Sequence, residues 1–439
     1  MNMKEISRQG YVDKLVSKKK NGLIKVITGL RRSGKSYLLF ELYYRFLIQE
    51  GVHDKNIIKF SFDVDEDVDK LDSYLPEEST KIKDKGKKSY KVNAKKFRAY
   101  INDQIKGDED YYLFLDEIQS LEDFVGTLNG FLRKKNLDVY VTGSNSRFLS
   151  SDILTEFRGR GEQIRVYPLT FREFYDYRGL PFDEAYKEYS YYGGMPLTLN
   201  YEKDEDKANY LKSLYEEVYL KDLIDRNSIA DVDSFNKLID IVASSIGSYT
   251  NSTKLERAFQ SGMNLRYSHV TIEKHLGYLM DAFLLSKATR YDVKGKNYIN
   301  ARYKYYFTDV GLRNAKLNFR QFEPSHIMEN IIYNELLSRG FNVDIGIVET
   351  HEPNANGNWV KKDLEIDFVV NKSDRRVYIQ SAYAMPDEEK VKQEKRSLGM
   401  TEDSFRKIIV VGDNVKSHHD EDGIEIVSLR DFLLGDIAL

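Results

Sequence analysis

The chain has 439 residues, of which 41% are hydrophobic and 31% are charged, and its formal net charge is −3. This length predicts about three domains, and the near-neutral charge confines any nucleic-acid contact to a local basic patch. The absence of cysteine excludes disulfides, zinc–cysteine sites and thiol catalysis and favours a reducing cytoplasm. No apolar run suits a signal peptide or a membrane span, so a cytoplasmic protein without membrane contact is predicted.

The first motif is a phosphate-binding loop. The run GLRRSGKS (29–36) follows a β-branched strand and precedes an apolar helix over 35–49, which is the context that the Gly-x-x-x-x-Gly-Lys-Ser spacing requires. Lys35 is predicted to contact the β- and γ-phosphates of ATP, and the hydroxyl of Ser36 to bind Mg²⁺. The predicted nucleotide-binding residues are Gly29, Leu30, Arg31, Arg32, Ser33, Gly34, Lys35 and Ser36.

Strands and helices then alternate, which predicts a mainly parallel sheet covered by helices. The predicted strands are 57–64, 111–119 and 137–148, and the predicted helices are 93–105 and 121–135. Residues 63–96 change from acidic to lysine-rich, which is typical of a solvated hairpin or an insertion, with a nucleic-acid contact as the alternative.

Two acids end the strand YYLFLDEIQ (111–119) at the edge where parallel sheets bind ligands. Asp116 is predicted to hold Mg²⁺, and Glu117 to orient and deprotonate the attacking water. The next strand ends in a polar loop from which one of three side chains is expected to contact the γ-phosphate or the water: Thr142, Ser144 or Asn145. An ordinary turn of polar residues is the alternative there.

Arg158 and Arg160 lie where a helix is predicted to end, just before the strand QIRVYPL. Cations favour helix C-termini for local electrostatic reasons. A catalytic arginine that reaches the γ-phosphate of a neighbouring subunit would be presented in the same way. Both interpretations stay open, and the second implies a homo-oligomer.

The middle of the chain has the pattern of a winged helix. A long amphipathic helix over 201–227 precedes three helices over 231–247, 250–262 and 268–283, and a hairpin over 284–309 turns at Gly295. The last helix of such a domain can enter a DNA major groove; a protein contact or a lid on the ATPase is the alternative. The exposed DNA-binding candidates are Arg266, Tyr267, His269, Lys274, His275, Lys294 and Lys296.

The C-terminal part is predicted to be a further α/β unit. A helix over 326–343 precedes a hairpin over 364–385, a strand over 406–413 and a strand–helix pair over 424–434. Because side chains alternate along a strand, Glu365 and Asp367 share one face of the first hairpin strand. Gln380 and Ala382 share one face of the second.

Taken together, these motifs resemble the prokaryotic AAA-like ATPases that carry a winged helix and a C-terminal domain related to the PD-(D/E)xK nucleases. The resemblance rests on GLRRSGKS, LFLDEIQ, TGSNSRFL, FRGR, YPLTFREF, YYGGMP, KYYFTDVGLRN, MENIIYNEL and EIDFV. It implies a P-loop NTPase parallel sheet with helices on both faces, followed by a winged helix and a small α/β restriction-endonuclease-like domain. The implied domains are 1–200, 201–318 and 319–439.

In the nuclease superfamily, a helix Glu, a strand Asp and a Glu-x-Lys bind metal and activate water. By this resemblance Glu329 and Asp367 match the first two. The third element reads Gln380-Ser381-Ala382 and lacks both the carboxylate and the lysine. The expected outcome is a degenerate site of Glu329, Glu365, Asp367 and Gln380 that does not cut DNA. Lys361 or Lys362 is the candidate to compensate one of the two losses, but compensation of both together is not expected.

The hypothesis for the whole chain is a Mg²⁺-dependent ATPase that couples its nucleotide state to engagement of duplex DNA or a protein partner. One alternative is an ATP-gated DNA nuclease. The other is a switch or remodelling ATPase whose additional domains bind proteins and no DNA.

Overall fold

The computed structural model describes residues 5–84, 90–143, 157, 159–263, 266–353, 357–412 and 415–437. The chain divides into two compact units, one from Glu5 to Tyr167 and one that contains Pro168–Leu439. Among the helices in these ranges, none has the length and apolar character that a membrane crossing requires.

The N-terminal unit is built on a parallel five-stranded sheet, which confirms the predicted α/β class. The described strands of the whole unit, which include a separate two-stranded hairpin, are β1 (Ile24–Gly29), β2 (Ile57–Ser61), β3 (Lys81–Lys83), β4 (Tyr90–Val92), β5 (Tyr111–Asp116), β6 (Leu137–Thr142) and β7 (Gly161–Val166). The sheet order is β2-β5-β6-β1-β7, and β3 pairs with β4 in a separate hairpin. Its described helices are α1 (Gln9–Ser17), α2 (Lys35–Tyr37), α3 (Tyr44–Gln49), α4 (Asp65–Asp69), α5 (Ala94–Gln104) and α6 (Phe124–Phe131).

A buried polar chain fixes the strand that leads into the phosphate loop. Lys25 on β1 forms an ion pair with Asp138 on β6. The hydroxyl of Tyr140 donates to Asp138 at 2.7 Å, and the hydroxyls of Tyr140 and Tyr43 are 2.7 Å apart. Tyr43 lies in a π-helical segment, Leu38–Tyr43, between α2 and α3. The helix after the loop is thereby tied to the two central strands beneath it.

The C-terminal unit combines a helical segment with an eight-stranded mixed sheet. Its helices are α7 (Phe171–Arg178), α8 (Phe182–Tyr192), α9 (Asp204–Ser213), α10 (Lys221–Asn227), α11 (Val232–Ser244), α12 (Ser252–Met263), α13 (His269–Asp281), α14 (Val310–Lys316), α15 (Pro324–Ser338), α16 (Glu388–Gly399) and α17 (Leu429–Leu433). Its strands are β8 (Leu285–Asp292), β9 (Asn297–Phe307), β10 (Asn342–Pro353), β11 (Trp359–Lys372), β12 (Arg375–Ala382), β13 (Arg406–Val411), β14 (His418–His419) and β15 (Glu425–Ser428).

The hairpin after α13 does not stand apart from the C-terminal strands. The sheet order is β14-β15-β13-β12-β11-β10-β8-β9, and β8 pairs with β10 in parallel. The predicted domain boundary at 318/319 therefore falls between β9 and β10, although the strands on both sides of it belong to one hydrogen-bonded sheet. The three domain ranges stay predictions.

Three of the family motifs interlock inside this unit. The amide of Leu169 donates to the carbonyl of Gly194 at 2.7 Å, and the amide of Gly194 donates to the buried carboxylate of Asp309 at 2.7 Å. A Cβ on Gly311 would lie 2.1 Å from the carbonyl oxygen of Tyr192. Burial raises the pKa of Asp309 to about 6, although three backbone amides oppose the shift. The glycines of these motifs are thus needed for close backbone packing.

Candidate functional site

The two glycines of the phosphate loop are required by the backbone for different reasons. Gly29 ends β1 with φ +139°, and a Cβ there would lie 2.0 Å from the carbonyl oxygen of Val166. Gly34 precedes α2 in the left-handed region, with φ +94°. A Cβ at Gly34 would meet nothing closer than 3.8 Å, so the constraint at this position is conformational. Between them, Arg31 and Arg32 are exposed.

Lys35 folds back into this loop. Its side chain is buried, and its Nζ donates to the carbonyl oxygens of Gly29 at 3.1 Å and Leu30 at 3.0 Å. Burial lowers the pKa of Lys35 to about 8, and the nearby carboxylates of Glu117 and Asp116 oppose this shift. The ammonium group is therefore enclosed by the loop and close to both predicted acids.

The acids at the end of β5 are joined to the end of β6. The hydroxyl of Thr142 donates to Asp116 Oδ1 and lies 3.4 Å from the backbone nitrogen of Glu117. Glu117 has a left-handed backbone, with φ +49°, and accepts a hydrogen bond from the side-chain amide of Gln119. The structure thus brings together Lys35 and both acids, with Thr142 as the residue that contacts both acids.

Two of the remaining predicted residues of this unit, Arg160 and Ser36, lie in the described ranges. Arg160 is exposed, and its guanidinium lies 3.5 Å from the side-chain oxygen of Asn129. Ser36 is exposed at the first turn of α2. Three candidates lie outside the described residues: Ser144, Asn145 and Arg158.

Arg8 is a positioning residue that the sequence pattern did not indicate. Its Nη1 donates to the carbonyl oxygen of Ser33 at 2.9 Å, and its Nη2 donates to that of Tyr167 at 2.9 Å. The guanidinium also lies 4.5 Å from the ring centroid of Tyr11. Arg8 thus holds the backbone of the phosphate loop, but no local motif around it signals this role.

Asp63 is a third acid near the site. It follows β2, whose Ser61 pairs with Asp116 in the parallel register. Partial burial raises the pKa of Asp63, and the carboxylates of Asp116 and Glu117 raise it further. The sequence contained a signal for Asp63, because this acid follows β2. Parallel strands present their carboxyl ends at one edge of the sheet, so an acid after β2 is expected near the acids after β5.

The C-terminal candidates also converge. Lys304 Nζ lies 2.8 Å from Glu329 Oε1, 2.5 Å from Glu365 Oε1 and 3.9 Å from Asp367 Oδ1. Gln380 Oε1 accepts a hydrogen bond from the backbone nitrogen of Asp367 at 3.3 Å. The three carboxylates therefore surround Lys304, the first residue of the run KYYFTDVGLRN, which was not predicted as a site residue. Gln380 contacts the backbone of Asp367 beside them.

The two lysines considered for the missing position lie elsewhere. Lys361 forms an ion pair with Glu349, and Lys362 forms one with Glu352 at 3.0 Å. Both pairs join β10 to β11, and both lysine side chains are exposed. The carboxylate cluster receives its ammonium from β9 instead.

The basic candidates around α13 are partly paired with acids. His269 Nδ1 lies 3.3 Å from Glu256, and Lys294 forms an ion pair with Glu402. Arg266, Lys274 and Lys296 are exposed.

Two residues predicted to be exposed there are buried, so that prediction was wrong. Tyr267 is 4% exposed and His275 is 8% exposed, and the Tyr267 hydroxyl contacts His275 Nδ1. The ring of His275 packs edge-on against Phe235, with centroids 5.1 Å apart. Because His275 follows Ile272 by three positions, it belongs to the inward face of α13.

Two family models match different parts of the chain. Residues 21–175 match the AAA domain family, and residues 183–323 match a domain of unknown function (DUF8612). An uncharacterized protein of Haemophilus influenzae is 31% identical, over 99% of this chain and all of that protein. An uncharacterized protein of Methanocaldococcus jannaschii is 26% identical, over 93% of this chain and 85% of that protein.

Among solved structures, AMPPCP-bound DnaA from Aquifex aeolicus aligns with 64% of this chain and 90% of its own, at 13% identity and a TM-score of 0.30. A TM-score of that size does not establish a shared overall fold. The near-complete match to the Haemophilus influenzae protein does establish a family. This chain belongs to the same family as that protein, and its N-terminal unit carries an AAA domain.

Proposed function

We propose that the N-terminal unit binds ATP together with Mg²⁺ and hydrolyses it to ADP and phosphate. The observation that carries this proposal is the enclosure of the Lys35 ammonium by its own loop, within electrostatic reach of Asp116 and Glu117. A buried cation beside two carboxylates is the set of charges that phosphoryl transfer requires.

The charge balance of the site suits a divalent cation. Asp63, Asp116 and Glu117 bring three carboxylates near one another, and their mutual repulsion is relieved by a positive ion. Within the described ranges, no three acidic or histidine side chains are arranged to hold a metal by themselves. Mg²⁺ commonly binds through one or two protein ligands and substrate phosphates, and Ser36 and Asp116 would hold it here. The ion would neutralise charge on the phosphate oxygens.

The protein side chains then divide the remaining work. Lys35 offsets charge on the phosphates, and the loop amides point at the same anion. Glu117 accepts the proton of the attacking water, and Gln119 holds the Glu117 side chain through its amide. Thr142 holds Asp116 in place through its hydroxyl.

The test is the rate of ATP turnover in Glu117→Gln, with Glu109→Gln as the matched control on an exposed carboxylate before β5. We expect Glu117→Gln to bind ATP normally and to slow turnover by about 10²-fold or more, since the proton acceptor is lost. Glu109→Gln should retain wild-type turnover. Equal rates in the two variants would contradict the role of Glu117.

We further propose that the C-terminal unit couples the nucleotide state to duplex DNA. Three successive helices, α11 to α13, precede the antiparallel hairpin β8–β9, which is the element order of a winged helix. Exposed cations on this segment, Arg266, Lys274 and Lys296, would contact phosphates. Lys294 pairs with Glu402, so its side chain is expected to contribute less to phosphate binding.

Salt dependence of DNA binding separates this proposal from a protein partner. Replacing Lys294 and Lys296 by Gln should lower the slope of log affinity against log salt by about one to two, since each lost phosphate contact removes about 0.9. The matched control replaces Lys361 and Lys362, two exposed lysines on another hairpin of the same sheet. If no duplex binds at low salt, with or without ATP, the protein-partner function takes the place of this one.

A further inference from the structure

The strongest unassigned feature of the C-terminal unit is a lysine enclosed by carboxylates. Lys304 on β9 has a side chain that is only 4% exposed. Its Nζ contacts Glu329 on α15 and Glu365 on β11, at 2.8 and 2.5 Å, and lies 3.9 Å from Asp367. The ammonium therefore stands between the two elements that supply the carboxylates.

Protein donors also occupy the carboxylate oxygens and their surroundings. The hydroxyl of Tyr306 donates to Glu329 Oε1 at 2.6 Å, the same oxygen that Lys304 contacts. The backbone nitrogen of Ser381 donates to Asp367 Oδ2 at 2.8 Å. Gln380 faces the backbone of Asp367 and donates its amide to Glu394 on α16 at 3.1 Å. The cluster is thus already hydrogen-bonded from several elements.

The segment after α11 covers this cluster. A Cβ on Gly247 would lie 3.0 Å from Glu329 Oε2, which shows how closely the backbone approaches that carboxylate. The ring centroid of Tyr249 lies 5.6 Å from Lys304 Nζ. Thr250 exchanges two backbone hydrogen bonds of 2.9 Å with Tyr303 on β9, which fixes the segment in place. The segment therefore packs against Glu329 and Lys304, whose side chains are 11% and 4% exposed.

We propose that the Lys304 ammonium is the resident cation of this cluster and takes the place that a divalent metal would need. The C-terminal unit then assembles without a metal and does not cleave nucleic acid. One positive charge among three carboxylates, at ion-pair distances, provides the attraction that a metal would otherwise supply.

Electrostatics support a permanent charge on this side chain. Burial alone would lower the pKa of Lys304, but the carboxylates of Glu329, Asp367 and Glu365 outweigh it and raise that pKa well above its ordinary value. In the part of the chain that the structure describes, no group of three acidic or histidine side chains is spaced to bind a metal ion. With the ammonium in place, these carboxylates are turned to Lys304.

The test measures Mn²⁺ bound to the nucleotide-free full chain by titration with electron paramagnetic resonance detection of free Mn²⁺. Wild type and Asp367→Asn should bind equal amounts, because any Mn²⁺ at the ATPase unit is common to both. Lys304→Ala frees the carboxylates and should gain about one Mn²⁺ per chain, and the added Asp367→Asn should remove it. Lys207→Ala is the matched control, since Lys207 is also buried and paired with Glu188 at 2.9 Å.

Two results would overturn the proposal. The first is Mn²⁺ binding, or Mn²⁺-dependent cleavage of linear or branched DNA, that is present in wild type and absent in Asp367→Asn. That result would make the cluster a metal site with Lys304 beside the ion. The second is a folded Lys304→Ala variant that binds no additional Mn²⁺. Should Lys304→Ala fail to fold, the comparison of wild type with Asp367→Asn decides the question by itself.

Discussion

Replacing Arg8 by Ala tests whether the phosphate loop depends on a side chain outside its motif. The substitution removes two charged hydrogen bonds, each 2.9 Å long, to the carbonyl oxygens of Ser33 and Tyr167. It also removes the contact with the ring of Tyr11. Ser33 belongs to the loop itself, so the loss falls on the backbone that surrounds the phosphates.

The expected magnitude follows from the two hydrogen bonds. A hydrogen bond to a charged group contributes about 1.5–3 kcal/mol, so two contribute about 3–6 kcal/mol. Removing a buried guanidinium also removes its desolvation cost, which offsets part of this loss. The unfolding free energy of the N-terminal unit should therefore fall by about 3 kcal/mol, the lower end of the range. We expect ATP affinity to fall by about tenfold or more, equivalent to about 1.4 kcal/mol, because binding must restore the loop.

The assay combines urea unfolding with equilibrium titration of a non-hydrolysable ATP analogue. Arg45→Ala is the matched control, since Arg45 pairs with Glu5 on the exposed surface of the same unit. That control should change the unfolding free energy by no more than about 0.5 kcal/mol and leave the affinity unchanged. An Arg8→Ala variant with the stability and affinity of Arg45→Ala would refute the positioning role.

Two further predictions test the loop and the family motifs. Lys35→Ala should lower ATP affinity by about 10²-fold, because the phosphates lose a buried cation, and calorimetric titration of ATP measures this. Gly311→Ala should destabilise the C-terminal unit by about 1–3 kcal/mol in chemical unfolding, because its Cβ would lie 2.1 Å from the carbonyl oxygen of Tyr192. Gly277→Ala, in the interior of α13 with nothing within 4 Å, should instead stabilise the unit by about 0.5–1 kcal/mol. Equal effects of the two alanines would contradict the close-packing account of the motif.

The features that sequence predicted well are those encoded over short distances. The phosphate loop needs only a strand, a glycine turn and a helix in succession. The spacing of its residues was therefore enough to predict where Gly29, Gly34 and Lys35 lie in that succession. The acids Asp116 and Glu117 were also predictable, because an apolar strand followed by carboxylates places them at the ligand edge of a parallel sheet. Helix periodicity could have placed His275 inside, since it shares a face with Ile272.

The residues that were missed act across long separations in the chain. Arg8 contacts Tyr167, and Lys304 contacts Glu365 on another strand. The residues next to Arg8 and Lys304 in the sequence do not indicate which group either cation contacts, because each contact forms only when the sheet has formed. The lysine of the predicted nuclease-like site was sought on β12, where Ala382 lies, and on β11, where Lys361 and Lys362 lie. The ammonium that meets its carboxylates comes from β9.

The run KYYFTDVGLRN (304–314), which begins with Lys304, joins the β8–β9 hairpin to its neighbours. Lys304 and Tyr306 are two positions apart on β9, so both side chains point to one face and reach the same oxygen of Glu329. Asp309, three residues further on, caps α14 and accepts from Gly194. Losing one partner of a buried ion pair costs about 3–5 kcal/mol, so the hairpin cannot separate cheaply from β11 and α15. The ion pairs and hydrogen bonds of Lys304 and Tyr306 therefore join the hairpin, β11 and α15 into one body.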